Sequence, residues 1–152
     1  MVGSKHDKKR LVINTEKCIG CDACTNVCQP GLIATTDTGS QRILRFPIIC
    51  DEDCTRCADV CPEGAVAFTP APDVLPAEEY LTVTFDLLPC ERCGNLFTTR
   101  RIVDKLLAAL PKEIGADPGE LPWLRLCPIC RQALEGENVV SEKISVSDHL
   151  KR

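Results

Sequence analysis

The sequence has few aromatic residues and few histidines. Among its 152 residues, aromatics make up 4%, with one Trp and one Tyr, and there are two histidines. A chain of this length can bury roughly 68 to 70% of its unfolded surface on folding, but so few aromatic side chains supply little of the bulk of an ordinary core. We therefore expect bound metal to take the place of part of the core.

Long apolar runs are also missing. No segment approaches the ~20 consecutive apolar residues that a membrane-spanning helix needs. Residues 1–10 form a polar tail without the apolar region of a secretory signal peptide. These absences predict no direct membrane insertion and a cytoplasmic location, with peripheral attachment to a membrane-associated complex left open.

Catalytic and nucleic-acid-binding signatures are absent as well. The sequence contains no GxGxxG, no P-loop and no GxSxG motif. The two histidines, His6 and His149, lie near opposite termini, where exposed tail residues are expected rather than a general base. A net charge of −4 and a pI near 5.2 do not suit a nucleic-acid-binding surface. We therefore predict no catalytic residues and no nucleic-acid partner, and we assign any catalysis to another subunit.

Cysteine, by contrast, is abundant. The chain has 12 cysteines, about 8% of its residues, which is close to the level where disulfides or metal must account for them. In a reducing compartment, cysteines at short spacings indicate metal ligands or redox groups rather than stable disulfides. They fall into three groups: Cys18, Cys21, Cys24 and Cys28; Cys50, Cys54, Cys57 and Cys61; and the pairs Cys90/Cys93 and Cys127/Cys130.

The first two groups repeat each other. The second copy has one extra residue between its first two cysteines, but the rest of the repeat holds. An offset of 33 residues aligns Cys21 with Cys54, Cys24 with Cys57, Cys28 with Cys61 and Gly31 with Gly64. This pattern indicates an internal duplication. Each half is predicted to contain an extended segment, a cysteine loop, a short helical turn and a strand, and the two halves are expected to pair their strands.

The spacing within these groups is typical of iron–sulfur ligands. The first group reads CxxCxxCxxxC, the run found in bacterial-type ferredoxins, whereas zinc is normally held by two separated pairs. Residues 11–69, with CIGCDACTNVC and CDEDCTRCADVCP, resemble a bacterial-type ferredoxin domain with two [4Fe-4S] clusters. In such domains the fourth cysteine of each run ligates the other cluster. The resemblance therefore assigns Cys18, Cys21, Cys24 and Cys61 to cluster one, and Cys50, Cys54, Cys57 and Cys28 to cluster two.

The last four cysteines form two CxxC pairs with 33 residues between them. Two such turns present four thiolates, which complete a tetrahedron around zinc. The pattern predicts a zinc-ribbon-like module over residues 80–140, with zinc held by Cys90, Cys93, Cys127 and Cys130. A single iron, a third iron–sulfur cluster or four unmetallated thiols remain alternatives, because the same spacing serves each of them.

The segments around these groups complete the predicted architecture. Proline-rich residues 70–79 predict a linker, and residues 80–87 predict a strand. A helix is predicted over residues 99–110, capped at Thr98 or Thr99 and ended by Pro111, and residues 141–152 are predicted to form a tail or a short helix. The predicted fold class is α+β: a duplicated ferredoxin-like two-cluster domain, followed by a four-cysteine zinc-ribbon-like module with an inserted helix.

The order of motifs along the whole chain carries a second resemblance. A two-cluster ferredoxin domain, LPCERCGNLF, a helix, CPIC and a polar tail together resemble the small ferredoxin-like electron-transfer subunit of formate hydrogenlyase and related hydrogenase complexes. This implies a subunit that passes single electrons between a catalytic oxidoreductase subunit and its redox partner. The catalytic subunit would be a hydrogenase, a formate dehydrogenase or a molybdenum or tungsten oxidoreductase.

Two other functions remain open. One is an iron–sulfur and zinc regulatory or nucleic-acid-binding module, which is disfavoured because basic and acidic residues are nearly balanced between Cys90 and Cys130. The other is a free ferredoxin with an accessory extension.

Overall fold

The computed structural model describes residues 8–74 and 76–149, except for the side chains of Pro118 and of residues 141–149. His6 and residues 1–7 of the predicted polar tail lie outside the described residues, as does the side chain of His149. The last three residues of that predicted tail, 8–10, are not a tail but part of a β-strand, because they pair with two neighbouring strands. The elements are β1 (Lys8–Ile13), α1 (Ala23–Val27), β2 (Ala34–Thr38), β3 (Gln41–Pro47), β4 (Ile49–Asp51), α2 (Arg56–Asp59), β5 (Val66–Pro70), β6 (Tyr80–Pro89), β7 (Leu96–Thr99), α3 (Arg100–Ile114) and α4 (Pro128–His149).

The described chain divides into two compact units. The first contains residues 8–87 together with Thr99–Ile102, and the second contains Leu88–Thr98 and the chain from Val103 onward. This differs from the prediction that the second module begins at residue 80, directly after the linker. Most of β6 belongs to the first unit because it pairs with β3 and because its inward-facing residues Val83 and Phe85 belong to the core of that unit.

A three-stranded sheet in the first unit joins the two halves of the cysteine repeat. Its strand order is β4-β1-β5, and β1 is antiparallel to both neighbours. Strand β1 precedes the first cysteine group, whereas β4 and β5 flank the second, so the prediction that the halves pair their strands is confirmed. Alternate residues of β1 point inward: Leu11 and Ile13 enter the core, and the ammonium of Lys9 lies 3.9 Å from the centre of the Phe68 ring.

The second sheet has the strand order β2-β3-β6-β7. Strand β3 supplies Leu44 and Phe46, which are 1% and 0% exposed. The core cluster around them also includes Cys24 from α1 and Cys57 from α2. Two thiols therefore take up positions that an ordinary domain would fill with aliphatic or aromatic side chains, in keeping with the low aromatic content of the sequence.

Helix α3 begins where the sequence predicts and ends later. The hydroxyl oxygen of Thr99 accepts a hydrogen bond from the Ile102 amide at 3.4 Å, which confirms Thr99 as the N-cap. The prediction that Pro111 ends the helix is wrong, because Pro111 lies inside it. The helix ends instead at Gly115, whose φ is +68°, and the Ala116 amide donates to the Pro111 carbonyl at 3.2 Å, as in a Schellman motif.

Helix α4 is longer than the predicted tail or short helix. It starts at Pro128, a residue well suited to the first helical position, and continues over 22 residues to His149. The predicted tail over residues 141–152 is therefore helical up to His149, and its last three residues lie outside the described chain. Within the described residues, no helix combines the length and the hydropathy needed to cross a bilayer.

Candidate metal centres

Four cysteines from both halves of the repeat line one cavity in the first unit. Two of them lie in the loop that follows β1, one lies in α1, and the fourth follows α2. Apolar side chains of β3 and β5, including Leu44, Phe46 and Val66, form the wall behind them. The four cysteines are Cys18, Cys21, Cys24 and Cys61.

The other four cysteines of the repeat line a second cavity. One follows α1, one lies in β4, one precedes α2 and one lies within it, and the apolar wall includes Leu11 and Ile33. The extra residue of the second run is accommodated by a turn in which the Cys54 amide donates to the Asp51 carbonyl at 3.2 Å. The four cysteines are Cys28, Cys50, Cys54 and Cys57.

The two runs also share local geometry at an offset of 33 residues. Gly31 and Gly64 both have positive φ, +66° and +57°. Their amides donate to the carbonyls of Cys28 and Cys61, at 2.9 Å and 3.2 Å. A turn that requires a left-handed residue therefore follows the last cysteine of each run, and glycine takes this conformation at little cost.

Burial dominates the electrostatics of the deepest thiols. It is the main reason, followed by the repulsion of neighbouring cysteines, that the pKa of Cys24 is raised to about 12 and that of Cys57 to about 11. A buried thiolate without a counter-charge is costly. These two sulfurs therefore suit a site in which bound iron compensates the thiolate charge.

The thiols that meet in each cavity affect one another across the two runs. The pKa of Cys18 is raised by burial first and then by the negative fields of nearby thiols, of which Cys61 is the strongest. The pKa of Cys50 is likewise raised mainly by burial, with a smaller contribution from Cys28. In both cavities, therefore, a cysteine from the other run lies close enough to interact electrostatically.

The third group has the dimensions of a site for a single ion. The sulfur atoms of Cys90, Cys93, Cys127 and Cys130 all lie within 4.8 Å of one another. A tetrahedron with metal–sulfur bonds of about 2.3 Å has an edge of about 3.8 Å, and the Cys93 and Cys127 sulfurs are 3.7 Å apart. A cubane cluster, whose four irons hold their thiolates much farther apart, does not match this spacing.

In the first CxxC pair of the third group, the surroundings of Cys90 favour its thiolate form. Burial disfavours ionisation of Cys90, but the amides of Cys127, Cys93 and Arg92 outweigh that effect and lower its pKa to about 6. The amide of Cys127 lies 3.2 Å from the Cys90 sulfur. Burial and the neighbouring thiols raise the pKa of Cys130 to about 12, so a metal that bound here would have to displace the proton of this thiol.

Sequence reasoning missed a set of side chains around the loop of residues 15–20, which leads into the first cavity. Arg101 donates from Nη1 to the carbonyls of Thr15 and Cys18, at 2.5 Å and 2.9 Å. The hydroxyl of Thr99 donates to the Ile19 carbonyl at 2.5 Å. No spacing pattern signals these contacts, because each donor lies 80 to 86 residues after the carbonyl that it contacts.

Gly20, in the same loop, is expected to be intolerant of a side chain. Its φ is +70°, and an added Cβ would lie 2.9 Å from both the Phe85 ring and the Thr99 methyl group. Both neighbours are buried and cannot move aside. We expect Gly20→Ala to lower the free energy of unfolding by the left-handed penalty of about 1 to 2 kcal/mol plus an overpacking penalty of about 1 to 3 kcal/mol.

Gly39→Ala is the matched control for this substitution. Gly39 has a φ of +56°, but nothing lies within 4 Å of its added Cβ, so only the left-handed penalty applies. Thermal unfolding of the iron-loaded proteins, followed by their visible absorption, compares the two variants. Equal losses of stability would show that Gly20 is not confined by Phe85 and Thr99.

Comparison with known proteins agrees with these cysteine sites. A family model for the 4Fe-4S binding domain matches residues 11–33, which contain the whole first cysteine run. An uncharacterized ferredoxin of Methanocaldococcus jannaschii is 30% identical over 56 residues, which cover 37% of this chain and 73% of that protein.

The cysteine-lined cavities and these matches define an iron–sulfur protein of the electron-carrier class, with residues for binding a [4Fe-4S] cluster. More particularly, the chain belongs to the 4Fe-4S ferredoxin family.

Proposed function

We propose that this chain is an electron-transfer subunit with two [4Fe-4S] clusters, one in each cysteine-lined cavity of the first unit. The observation that carries the proposal is the composition of the cavities. Each is lined by four cysteines, three from one run and one from the other. This exchange is the arrangement in which the fourth cysteine of a ferredoxin run ligates the neighbouring cluster.

The residues of the chain fit the needs of electron transfer. When bound, a [4Fe-4S] cluster takes up and releases one electron reversibly. Cys24 and Cys57 belong to a single buried core, and the helices that carry them, α1 and α2, are in contact. Residues of this same core line both cavities, Leu44 and Phe46 the first and Leu11 and Ile33 the second. The two proposed clusters would therefore border one apolar core, which keeps water away from both.

The amide of Ala65 is positioned to modify the first cavity. It donates to the sulfur of Cys61 at 3.3 Å. Hydrogen bonds to a ligating sulfur stabilise negative charge on it and so contribute to the potential of the bound cluster. The main chain therefore supplies a polar contact to one sulfur of this cavity.

In the second unit, the four-cysteine site is proposed to hold a structural zinc ion. Zinc sites with four cysteine ligands are closed and contribute directly to folding. Three of the four cysteines are buried, and the small core of the unit consists of Cys90, Cys127 and Cys130, with Phe97 and Leu126 packed against them. A single iron would fit the same tetrahedron, and metal analysis distinguishes the two ions.

Metal analysis tests the number and kind of sites. Protein purified without oxygen is expected to contain about eight irons, about eight sulfides and about one zinc per chain, since each cubane holds four irons and the tetrahedral site holds one ion. Elemental analysis and sulfide assay give these numbers. About four irons would contradict the two-cluster proposal, and about twelve would show that the third site holds a cluster.

The electron-transfer role itself is tested by reversible reduction. The two clusters should be reduced and reoxidised at equilibrium without loss of iron, as followed by paramagnetic resonance. A protein whose clusters decay on each reduction would not serve as a carrier.

The partner is proposed to be the catalytic subunit of a redox enzyme, by resemblance of motif order to the small ferredoxin-like subunit of formate hydrogenlyase. Co-purification of the untagged complex under anaerobic conditions, followed by identification of the subunits, tests this. A hydrogenase, a formate dehydrogenase or a molybdenum or tungsten oxidoreductase in the complex supports the proposal. Elution of the native protein as a free monomer would favour a ferredoxin that acts alone.

A further inference from the structure

Arg101 places a positive charge against the loop that leads into the first cavity. An arginine side chain carries a positive charge. The Nη1 atom lies 2.9 Å from the carbonyl oxygen of Cys18, which is one of the cysteines that line this cavity. The charge is therefore within a few ångströms of a proposed cluster ligand.

Arg101 is exposed, but its guanidinium also lies next to a buried aromatic ring. The guanidinium carbon lies 5.3 Å from the centre of the Phe85 ring, and Phe85 is 3% exposed. One side of the guanidinium thus faces low-dielectric core, where a charge acts more strongly than in water. The hydrogen bonds that the structure gives Arg101 go to main-chain carbonyls, so within the described residues they involve no neutralising carboxylate.

Arg42, the second arginine at this loop, is placed differently. It donates to the Gly20 carbonyl at 3.3 Å, but it also forms a two-pronged ion pair with Asp37 at 2.8 Å and 2.9 Å. The carboxylate balances most of its charge. Two acidic residues, Asp22 and Glu63, also line the first cavity, so a cation near this loop offsets some of the negative charge around a reduced cluster.

The cations at the second cavity make different contacts. Lys8 lines it and is ion-paired with Asp51 at 2.7 Å. Arg56 also lines it and is exposed, as Arg101 is, so solvent and salt screen part of its field. Neither resembles the arrangement of Arg101, which lies on a buried ring and donates to the carbonyl of a proposed ligand.

We propose that Arg101, at the start of α3, is a positioning residue that raises the reduction potential of cluster one. It acts in two ways: it fixes the loop of residues 15–20 through two carbonyls, and it places a cation where reduction adds negative charge. The inference rests on the proposed function, because it assumes a cluster in the first cavity. The proposal gives the stretch Thr99–Ile102 a role in the first unit, although this stretch lies beyond the proline-rich linker and outside both cysteine runs.

Arg101→Gln tests the charge, with Arg100→Gln as the matched control. Arg100 is the preceding residue of the same helix and is exposed, as Arg101 is, so its loss removes the same formal charge, while the hydrogen bonds of Arg101 to the carbonyls of Thr15 and Cys18 stay in place. We expect Arg101→Gln to weaken reduction of cluster one by about three- to tenfold, given a partly screened charge; tenfold corresponds to 59 mV for one electron. Arg100→Gln should shift it much less, and cluster two should shift less in both variants.

The measurement is an anaerobic redox titration of the iron-loaded protein followed by paramagnetic resonance. Cluster one is the signal that is lost in Cys61→Ala. A shift that is equal in Arg101→Gln and Arg100→Gln, or equal for the two clusters, would overturn the proposal.

Arg101→His provides a second readout that a purely structural role would not change. The imidazolium has an ordinary pKa near 6.5, so the variant carries the charge at low pH and loses it as pH rises. The potential of cluster one should fall across that range more steeply than in the wild type or in Arg100→His. A profile parallel to the wild type contradicts the proposal, and this variant decides the matter if Arg101→Gln fails to retain its iron.

Failure of the proposed function would give a different experimental result, seen in the wild-type protein. A wild-type protein with about four irons, or without reversible reduction, would remove the basis of the function. A wild-type protein with two reversible clusters, whose cluster one responds equally to Arg100→Gln and Arg101→Gln, would overturn only the role of Arg101.

Discussion

Cys61→Ala is expected to abolish cluster one and to leave cluster two in place, even though Cys61 belongs to the second cysteine run. Its side chain lines the first cavity together with Cys18, Cys21 and Cys24. Removal of one thiolate leaves one iron of the cubane without its protein ligand, and alanine offers no replacement. The iron content should fall from about eight toward about four per chain, with loss of the corresponding resonance signal.

Variants within each run give this experiment its controls. The spectrum of Cys61→Ala should match that of Cys21→Ala, which removes a ligand from the same cavity. The reciprocal variant Cys28→Ala should match Cys54→Ala, because both residues line the second cavity. If Cys61→Ala instead matched Cys54→Ala, each run would hold its own cluster, and the crossed ligand sets would be wrong.

Cys127→Ala is expected to release the metal of the second unit and to unfold that unit. The buried core of the unit is built around Cys90, Cys127 and Cys130, so little apolar packing remains once the metal is gone. Structural zinc contributes about 10 to 16 kcal/mol of apparent binding energy in zinc-finger peptides. Loss of one ligand should remove enough of this energy to exceed the stability of about 5 to 15 kcal/mol that is typical of a domain.

Hydrogen exchange and zinc analysis measure this result. Amides of residues 88–98 and 103–130 should lose protection in Cys127→Ala, while the zinc content falls to near zero. Ile129→Ala is the matched control, since Ile129 lies between the two cysteines of the last pair and is 76% exposed. Retained protection in Cys127→Ala would show that the unit folds without its metal.

The pH dependence of this site follows from its thiols. Burial and the neighbouring thiols raise the pKa of Cys130 to about 12, so zinc must displace a proton to bind there. A metal that competes with protons binds more weakly as pH falls. The midpoint for zinc loss to a chelator should therefore move to lower chelator concentration as pH is lowered.

The sequence determined the chemistry of the cysteine groups. Spacing within a run is a local property, because residues two to four apart are held near one another by a single turn of chain. Spacing therefore indicated which neighbouring thiols could share a metal, and the 33-residue offset indicated the repeat, whereas the exchange of the fourth cysteines was implied by the resemblance to two-cluster ferredoxins. The N-cap at Thr99 and the strand over residues 80–87 were predictable for the same reason, since caps and alternating burial depend on near neighbours.

The end of α3 shows where local reasoning failed. A proline usually ends a helix because it lacks an amide hydrogen and crowds the preceding turn. Here the helix continues beyond Pro111 and ends at Gly115, whose left-handed conformation satisfies the last carbonyls. The sequence contains both a proline and a glycine that could end the helix, and no local rule decides between them.

Only the tertiary structure showed that the first unit includes residues beyond the proline-rich linker. Strand β6 joins this unit because Val83 and Phe85 complete its core, and Thr99 and Arg101 join it because their side chains meet the carbonyls of the loop of residues 15–20. Such contacts depend on which surfaces remain to be buried and which carbonyls remain to be satisfied once the strands have paired. Residue spacing does not encode this information, so the sequence could predict which cysteines group together, whereas the contacts around those cysteines could not be predicted from it.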